Sequence, residues 1–324
     1  MLEELKTTMQ LQEQFKLKEL FKNFNNGEGL DHWSPSSANQ PLSKVIINYG
    51  FHNSKDRDEF LMQYKPRFGN LVNNTAQRLE CDTLFFKNKS IKLTNRNYDE
   101  VFNKELDDIN KYDPVDDKDA YARKYMIEYA HQTIAQTRKV IREICGKEKI
   151  ISERYVMNKP EKLLFDLIGR IDYETDNTDS TNSKNLFIEL KTKPPSIYKR
   201  KNKDEYYFKT QELDDNSIFE DYWKQVAFYW KCTGKKPFLV LVNENDYLIY
   251  DDTHDALRAD HLDYQYNMMI NKIYNWEQMI IYCKGDLYKL AELTEPPDLN
   301  HYYHYKYMTN KQKEIIQKLW KLKV

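Results

Sequence analysis

The stretch Leu186-Phe187-Ile188-Glu189-Leu190-Lys191-Thr192-Lys193 restricts the fold of this chain more than any other. It is apolar enough for an internal strand, yet it carries one acid and two bases. Side chains alternate across a strand, and residues two apart share a face at a spacing of about 7 Å. Glu189, Lys191 and Lys193 therefore fall on one face, while Ile188 and Leu190 point the other way into apolar packing. Such a strand belongs in a sheet with one face in a core and the other at a place that uses charge.

The preceding segment supplies a partner. Leu163 to Tyr173 (LLFDLIGRIDY) reads as a strand, and the polar run Glu174–Lys184 reads as a long hairpin connection. Asp172 and Arg170 share one face of that strand, opposite Phe165, Leu167, Gly169 and Ile171. Antiparallel pairing sets Asp172 beside Glu189 and Lys191. Further on, Ile218–Thr233 reads as a helix ended by Gly234, and Phe238–Val242 with Tyr247–Tyr250 as a second hairpin. Helical spacing marks residues 2–24, Gly69–Leu79, Tyr121–Ile144, Ala256–Tyr282 and Lys311–Leu322, and Ser34-Pro35 opens a short helix. The order of helices, hairpin, helix, hairpin and helices predicts an α/β core with a helical extension. The expected division is a helical N-terminal lobe over 1–149, a core over 150–290 and a helical extension over 291–324.

Composition narrows the partners. The 324 residues are 40% hydrophobic, enough for a sizeable core, and the formal net charge is −1. Near neutrality argues against a general polycation, though not against a local basic groove. Cys81, Cys145, Cys232 and Cys283 are far apart, which argues against a zinc ribbon or a sequence-local iron–sulfur site and fits reduced thiols. No run approaches the ~18 apolar residues of a membrane span, and the acid-rich N-terminus resembles no leader. The expectation is a soluble intracellular protein, in a bacterial or phage-infected cytoplasm or a mitochondrial matrix.

Two adjacent carboxylates repel unless a proton or cation joins them. A hard divalent ion, Mg²⁺ or Mn²⁺, prefers oxygen ligands and keeps several waters, so Asp172, Glu189 and the backbone carbonyl of Leu190 form a suitable set. Such an ion acidifies bound water and neutralises phosphate charge, and Lys191 beside it can orient the water and stabilise the transition state. These are the parts needed for phosphodiester hydrolysis.

GRIDY, the polar loop and IELKTK together resemble the PD-(D/E)xK nuclease superfamily, which places an acid on one strand and E-x-K on the next. Gln225-Val226-Ala227-Phe228-Tyr229 matches the Q-x-x-x-Y helix of its RecB-like branch, with Gln225 and Tyr229 one turn apart. Gly169 before Arg170-Ile171-Asp172, and Thr192 after Lys191, also look like that branch, over residues 150–250. Upstream, WSPSSAN (Trp33–Asn39) looks like its serine-rich opening. RFGNLVNNTAQRL (Arg67–Leu79) resembles its G-x-x-x-H helix, with Asn73 where the family's metal-binding histidine would stand. The likeness is greatest to the single-strand exonuclease group that includes the mitochondrial genome maintenance exonuclease and phage-encoded relatives.

The resemblance implies a restriction-endonuclease-like core, a mixed central sheet flanked by helices, and a metal-dependent deoxyribonuclease acting on single strands or ends, as in repair, recombination or DNA degradation. It assigns Asp172 and Glu189 to metal, with Leu190 and, as a weaker fourth, Asn73. It assigns Lys191 to the attacking water, and Gln225 and Tyr229 to support of the site. Thr192, Lys193, Lys199, Arg200, Lys201 and Lys203 are the candidate DNA contacts, and binding through them would weaken steeply with salt. A sequence- or structure-specific endonuclease and a catalytically silent nucleic-acid-binding subunit are the rival readings. Glu153, just before the first strand, is placed to reach the site but reads first as a solvated strand end, and the Tyr206-Tyr207-Phe208 and Tyr302-Tyr303-His304-Tyr305 runs read as packing or as base-stacking surfaces.

Overall fold

The computed structural model describes residues 13–22, 29–50, 64–86, 89–94, 96–111, 114, 116–176, 184–201, 205–214, 220–297 and 310–321. In chain order the first half holds β1 (His32–Trp33), α1 (Leu42–Gly50), α2 (Tyr64–Glu80), β2 (Thr83–Phe86), β3 (Lys89–Lys92), α3 (Tyr98–Ile109) and α4 (Asp117–Cys145). Then come β4 (Ile150–Ser152), β5 (Arg154–Asn158), β6 (Asp166–Ile171), β7 (Tyr173–Thr175), β8 (Leu186–Thr192), β9 (Ser196–Lys199) and β10 (Tyr206–Lys209). The remainder is α5 (Glu220–Thr233), β11 (Lys236–Val242), β12 (Tyr247–Tyr250), α6 (Ala259–Tyr282), α7 (Leu287–Glu292) and α8 (Asn310–Trp320). The protein is mixed α/β, as the element order predicts, with a large mixed sheet flanked by helices.

The chain forms two compact units, Met1–Phe60 with Met157–Ile168 and Tyr266–Val324, and Leu61–Val156 with Gly169–Gln265. These boundaries cut across the consecutive segments expected from sequence, because sheet and helix contacts join stretches far apart in the chain. In the first unit β1 pairs in parallel with β6, His32 opposite Asp166. There the buried Glu277 accepts the indole N–H of Trp33 at 3.0 Å and the backbone N–H of Leu164 at 2.8 Å. The expected helix over 2–24 is seen as helical residues 13–18 and a 3₁₀ turn over Glu19–Phe21, its first part lying outside the described residues. Ser34 Oγ accepts the Ser37 N–H at 3.2 Å, opening a 3₁₀ turn over Ser37–Asn39.

The second unit is built on a seven-stranded sheet in the order β12-β11-β8-β7-β4-β2-β3. β8 lies centrally, parallel to β11 with Glu189 opposite Leu239, and antiparallel to β7 with Tyr173 opposite Ile188. Ile188, Leu190, Val240 and Val242 pack on one face against Val140, Ile141 and Ile144 of α4. Apolar side chains recur along α4 at three- and four-residue steps, and Asp116 caps it by accepting the Asp119 N–H at 2.7 Å. Phe187 points to the opposite face, where its ring lies 6.0 Å from Tyr229 of α5. The expected packing face and charged face of β8 are thus both realised. Strands β2 and β3, which complete the sheet, escaped the sequence reading because Thr83–Phe86 and Lys89–Lys92 are only four residues each and never fully buried. Among the described residues no helix is long and apolar enough to cross a membrane.

Candidate active site

The site begins where a strand breaks. Leu163–Tyr173, read as one strand, is in fact two, β6 and β7, with Asp172 at the bend between them. The cause is a side-chain substitution in the ladder. β7 pairs with β8 only as far as Tyr173, and the next N–H on that edge, Leu190, donates to Asp172 Oδ2 at 2.9 Å. A carboxylate replaces a backbone carbonyl there, so the chain is free to turn into β6. The N–H and C=O of a strand residue leave along the same edge, so the Leu190 carbonyl also points to the side where Asp172 lies.

Glu189 is 3% exposed. Its Oε1 accepts from Lys191 Nζ at 2.5 Å, while Oε2 is buried with no hydrogen-bond partner. Lys191 also donates to Gln225 Oε1 at 2.8 Å, and its ammonium lies 5.1 Å from the ring centre of Tyr222. Burial pushes the Asp172 carboxyl well above the ordinary carboxylate range, the Glu189 charge adds to this, and Lys191 and the Leu190 N–H oppose it. Burial also acts to lower the Lys191 pKa, but the charges of Glu189 and Asp172 and the Glu189 hydrogen bond outweigh it and hold the ammonium protonated. Two carboxylates here face one ammonium.

α5 braces the site. Gln225 and Tyr229 lie on one face, as their spacing predicts, and Tyr222 extends it by one turn. Tyr229 is 4% exposed; burial first, then the Glu189 and Asp172 charges, raise its hydroxyl well above the usual range. Its hydroxyl therefore stays neutral. A Cβ on Gly169 would lie 2.7 Å from Tyr229 and 2.9 Å from Phe228, so only glycine lets α5 seat against the strand here.

α2 closes another side with Gly69, Asn73 and Gln77, one turn apart. A Cβ on Gly69 would lie 3.0 Å from Thr192 Oγ1, which fixes the helix close to the end of β8. Asn73 Oδ1, the oxygen expected to be a weaker metal ligand, accepts the Tyr173 hydroxyl at 2.7 Å. Gln77 Nε2 donates to Glu153 Oε1 at 2.9 Å and to the Asp172 carbonyl at 3.3 Å. Glu153 is held at φ 57°, its N–H donates to Ile171 O at 2.9 Å, and its other carboxylate oxygen meets Arg170 Nη1 at 2.9 Å. Its charge contributes to the raised pKa of Asp172, so Glu153 is part of the site and not merely a solvated strand end.

Asp172, Glu189, Leu190, Lys191, Gln225 and Tyr229 are brought together. Lys193, 7% exposed, lies with its ammonium 5.3 Å from the same Tyr222 ring; burial, then Lys65 and Lys191, lower its pKa to about 8. Lys199, Arg200 and Lys201 are exposed on or beside the β9–β10 hairpin, beyond Pro194-Pro195. Lys203 lies outside the described residues. Sequence reading missed Gln77 and Tyr222, both recoverable by extending helical spacing one turn from Asn73 and Gln225. For Glu153 the sequence offers only its place just before the first strand, because its position depends on long-range pairing and a left-handed backbone.

Among the described residues no three His, Cys, Asp or Glu side chains gather as a metal cage. What is present is an oxygen set of two carboxylates, one with an orphaned buried oxygen, beside the edge that carries the Leu190 carbonyl. That set fits a hard divalent ion that keeps much of its water shell. The thiols offer no alternative nucleophile: Cys145 and Cys232 are pushed up to about 12, chiefly by burial.

No family model matches the chain, and no curated relative is found for it. The crystal structure of SSO0001 aligns over 55% of this chain and 83% of its own at 13% identity, with a TM-score of 0.28. A likeness so slight carries no argument about fold or activity.

Proposed function

We propose that the chain is a metal-dependent deoxyribonuclease with a RecB-like PD-(D/E)xK core, hydrolysing phosphodiester bonds at single strands or ends. The observation that carries this reading is the divided Glu189 carboxylate. One oxygen holds Lys191, and the other is orphaned in a buried place beside Asp172, whose carboxyl is raised by burial first and then by the Glu189 charge. Asp172, Glu189 and the Leu190 carbonyl would hold Mg²⁺ or Mn²⁺, which when bound neutralises phosphate charge and acidifies a water.

The chain's own contribution centres on Lys191. Held protonated, it donates hydrogen bonds and takes no proton from water. It orients the water that attacks phosphorus and stabilises negative charge as the P–O bond of the leaving strand breaks. Gln225 fixes the direction of the ammonium, and Tyr222 gives it a π face. Glu153 and Gln77 hold the Asp172 backbone in place. Lys193 lies where a neighbouring phosphate would be bound.

The test is single-turnover cleavage of end-labelled single-stranded DNA with Mg²⁺. Lys191→Ala should lower the rate by at least about 100-fold, the scale of losing one charge-stabilising donor, and unchanged cleavage would refute the mechanism. A circular single strand separates the readings further, because an exonuclease leaves it intact. A silent nucleic-acid-binding subunit is the second reading, favoured by the engagement of Asn73 with Tyr173 where the family has a histidine. It predicts binding without cleavage.

A further inference from the structure

We propose that the outer face of the β9–β10 hairpin is a stacking platform for single-stranded DNA. The proposal rests on the nuclease reading for its choice of substrate and deepens it by naming the surface that holds the single strand.

The two faces of this hairpin differ sharply. β9 and β10 pair antiparallel with Tyr207 opposite Tyr198, Phe208 opposite Ile197 and Lys209 opposite Ser196. The inner face is occupied by the protein itself. Ile197 is 4% exposed, and the Phe208 ring lies 4.8 Å from Tyr129 and 5.3 Å from Tyr121, both on α4. On the outer face Tyr198 and Tyr207 are 47% and 39% exposed, and their rings stack at 5.8 Å and 30°. Residues opposite one another or two apart share a face, so Lys209 and the Arg200–Glu205 pair flank these rings at steps of about 7 Å. Lys201 follows, exposed.

Exposed aromatic faces between basic side chains match a nucleic-acid single strand. Base faces stack on tyrosine regardless of sequence, and phosphates meet Arg200, Lys201 and Lys209. A duplex keeps its base faces covered and gains nothing from such rings. The platform is also firmly placed. Pro194-Pro195 joins the end of β8 to the start of β9 with restricted φ. The Pro195 carbonyl accepts the Tyr64 hydroxyl at 3.3 Å, and the Pro194 carbonyl accepts from Gln211. Lys191 and the rings thus lie on two strands joined by a short, stiff connection.

The experiment measures binding of a fluorescent oligothymidylate by anisotropy with EDTA present, so that cleavage plays no part. Tyr198→Ala with Tyr207→Ala should weaken single-strand binding by about tenfold or more. Tyr198→Phe with Tyr207→Phe should stay within about twofold, and blunt duplex binding should be unchanged in both variants. Ultraviolet cross-linking of an iodouridine oligonucleotide to the wild-type chain should label Tyr198 or Tyr207, a readout that does not depend on how the alanine variant folds. Unchanged single-strand affinity in the alanine variant, an equal loss on duplex, or cross-links only elsewhere would overturn the proposal. So would loss of self-association in sedimentation with DNA affinity intact, which would assign this face to a second copy. A wild type that binds through the tyrosines yet never cuts DNA upholds the platform and refutes the nuclease reading; one that cuts while the tyrosines prove irrelevant does the reverse.

Discussion

Two buried glutamates on neighbouring strands, Glu174 on β7 and Glu189 on β8, have opposite electrostatic fates. Glu174 is 0% exposed and fully answered: Arg154 grips both its oxygens, and Lys235 Nζ meets Oε2 at 2.8 Å. Glu189, equally buried, shares one lysine with a second acid and keeps an oxygen with no partner. Burying a charge costs several kcal/mol unless it is paired and hydrogen-bonded. The first glutamate meets that condition within the chain and is structural. The second does not, and this is the place to which the proposed function assigns a divalent ion.

The comparison breaks first at Glu174. Glu174→Ala strands two cations against the sheet and should destabilise the fold by about 3–5 kcal/mol in urea titrations, whereas Glu189→Gln should be as stable as wild type or more so. Equal losses in both would erase the distinction.

A sharper test uses pH. The folded chain holds the Asp172 proton more tightly than the unfolded chain does. Its stabilising effect is therefore full below the unfolded value of about 3.9 and is lost as pH rises through the higher folded value. Without divalent ions, Asp172→Asn should melt above wild type at neutral pH, by roughly 1–2 °C for each kcal/mol relieved, and the gap should close in acid. A gap that widens in acid would have the wrong sign.

The smallest expected effect concerns Lys193. It is protonated below about 8 and neutral above, so single-strand affinity should fall by about fivefold as pH rises through that region, the worth of one phosphate contact. Lys193→Arg should remove that step from the binding curve.

How far the sequence discloses these features follows from the range of the interactions involved. The two faces of β8 are periodic and period alone finds them, whereas the Gln225–Tyr229 pair is legible through its resemblance to the Q-x-x-x-Y motif that follows E-x-K. The break at Asp172 is not, because it arises when a side chain takes the ladder position of a backbone carbonyl. Glu153 reaches the site through the Ile171 carbonyl and Gln77, partners 18 and 76 residues away. Asn73 reads from sequence either as a variant metal ligand or simply as a helix residue, and the structure gives its oxygen to Tyr173, itself fixed by the β7–β8 register.

The most direct measurement is titration of Mn²⁺ followed by loss of the free-ion electron paramagnetic resonance signal. Wild type should bind Mn²⁺ at neutral pH, Asp172→Asn and Glu189→Gln should each weaken binding by at least about tenfold, the scale of one lost charged ligand, and Lys191→Ala should still bind. Equal Mn²⁺ binding by wild type and the Asp172→Asn, Glu189→Gln double variant, or none by wild type, would contradict the account.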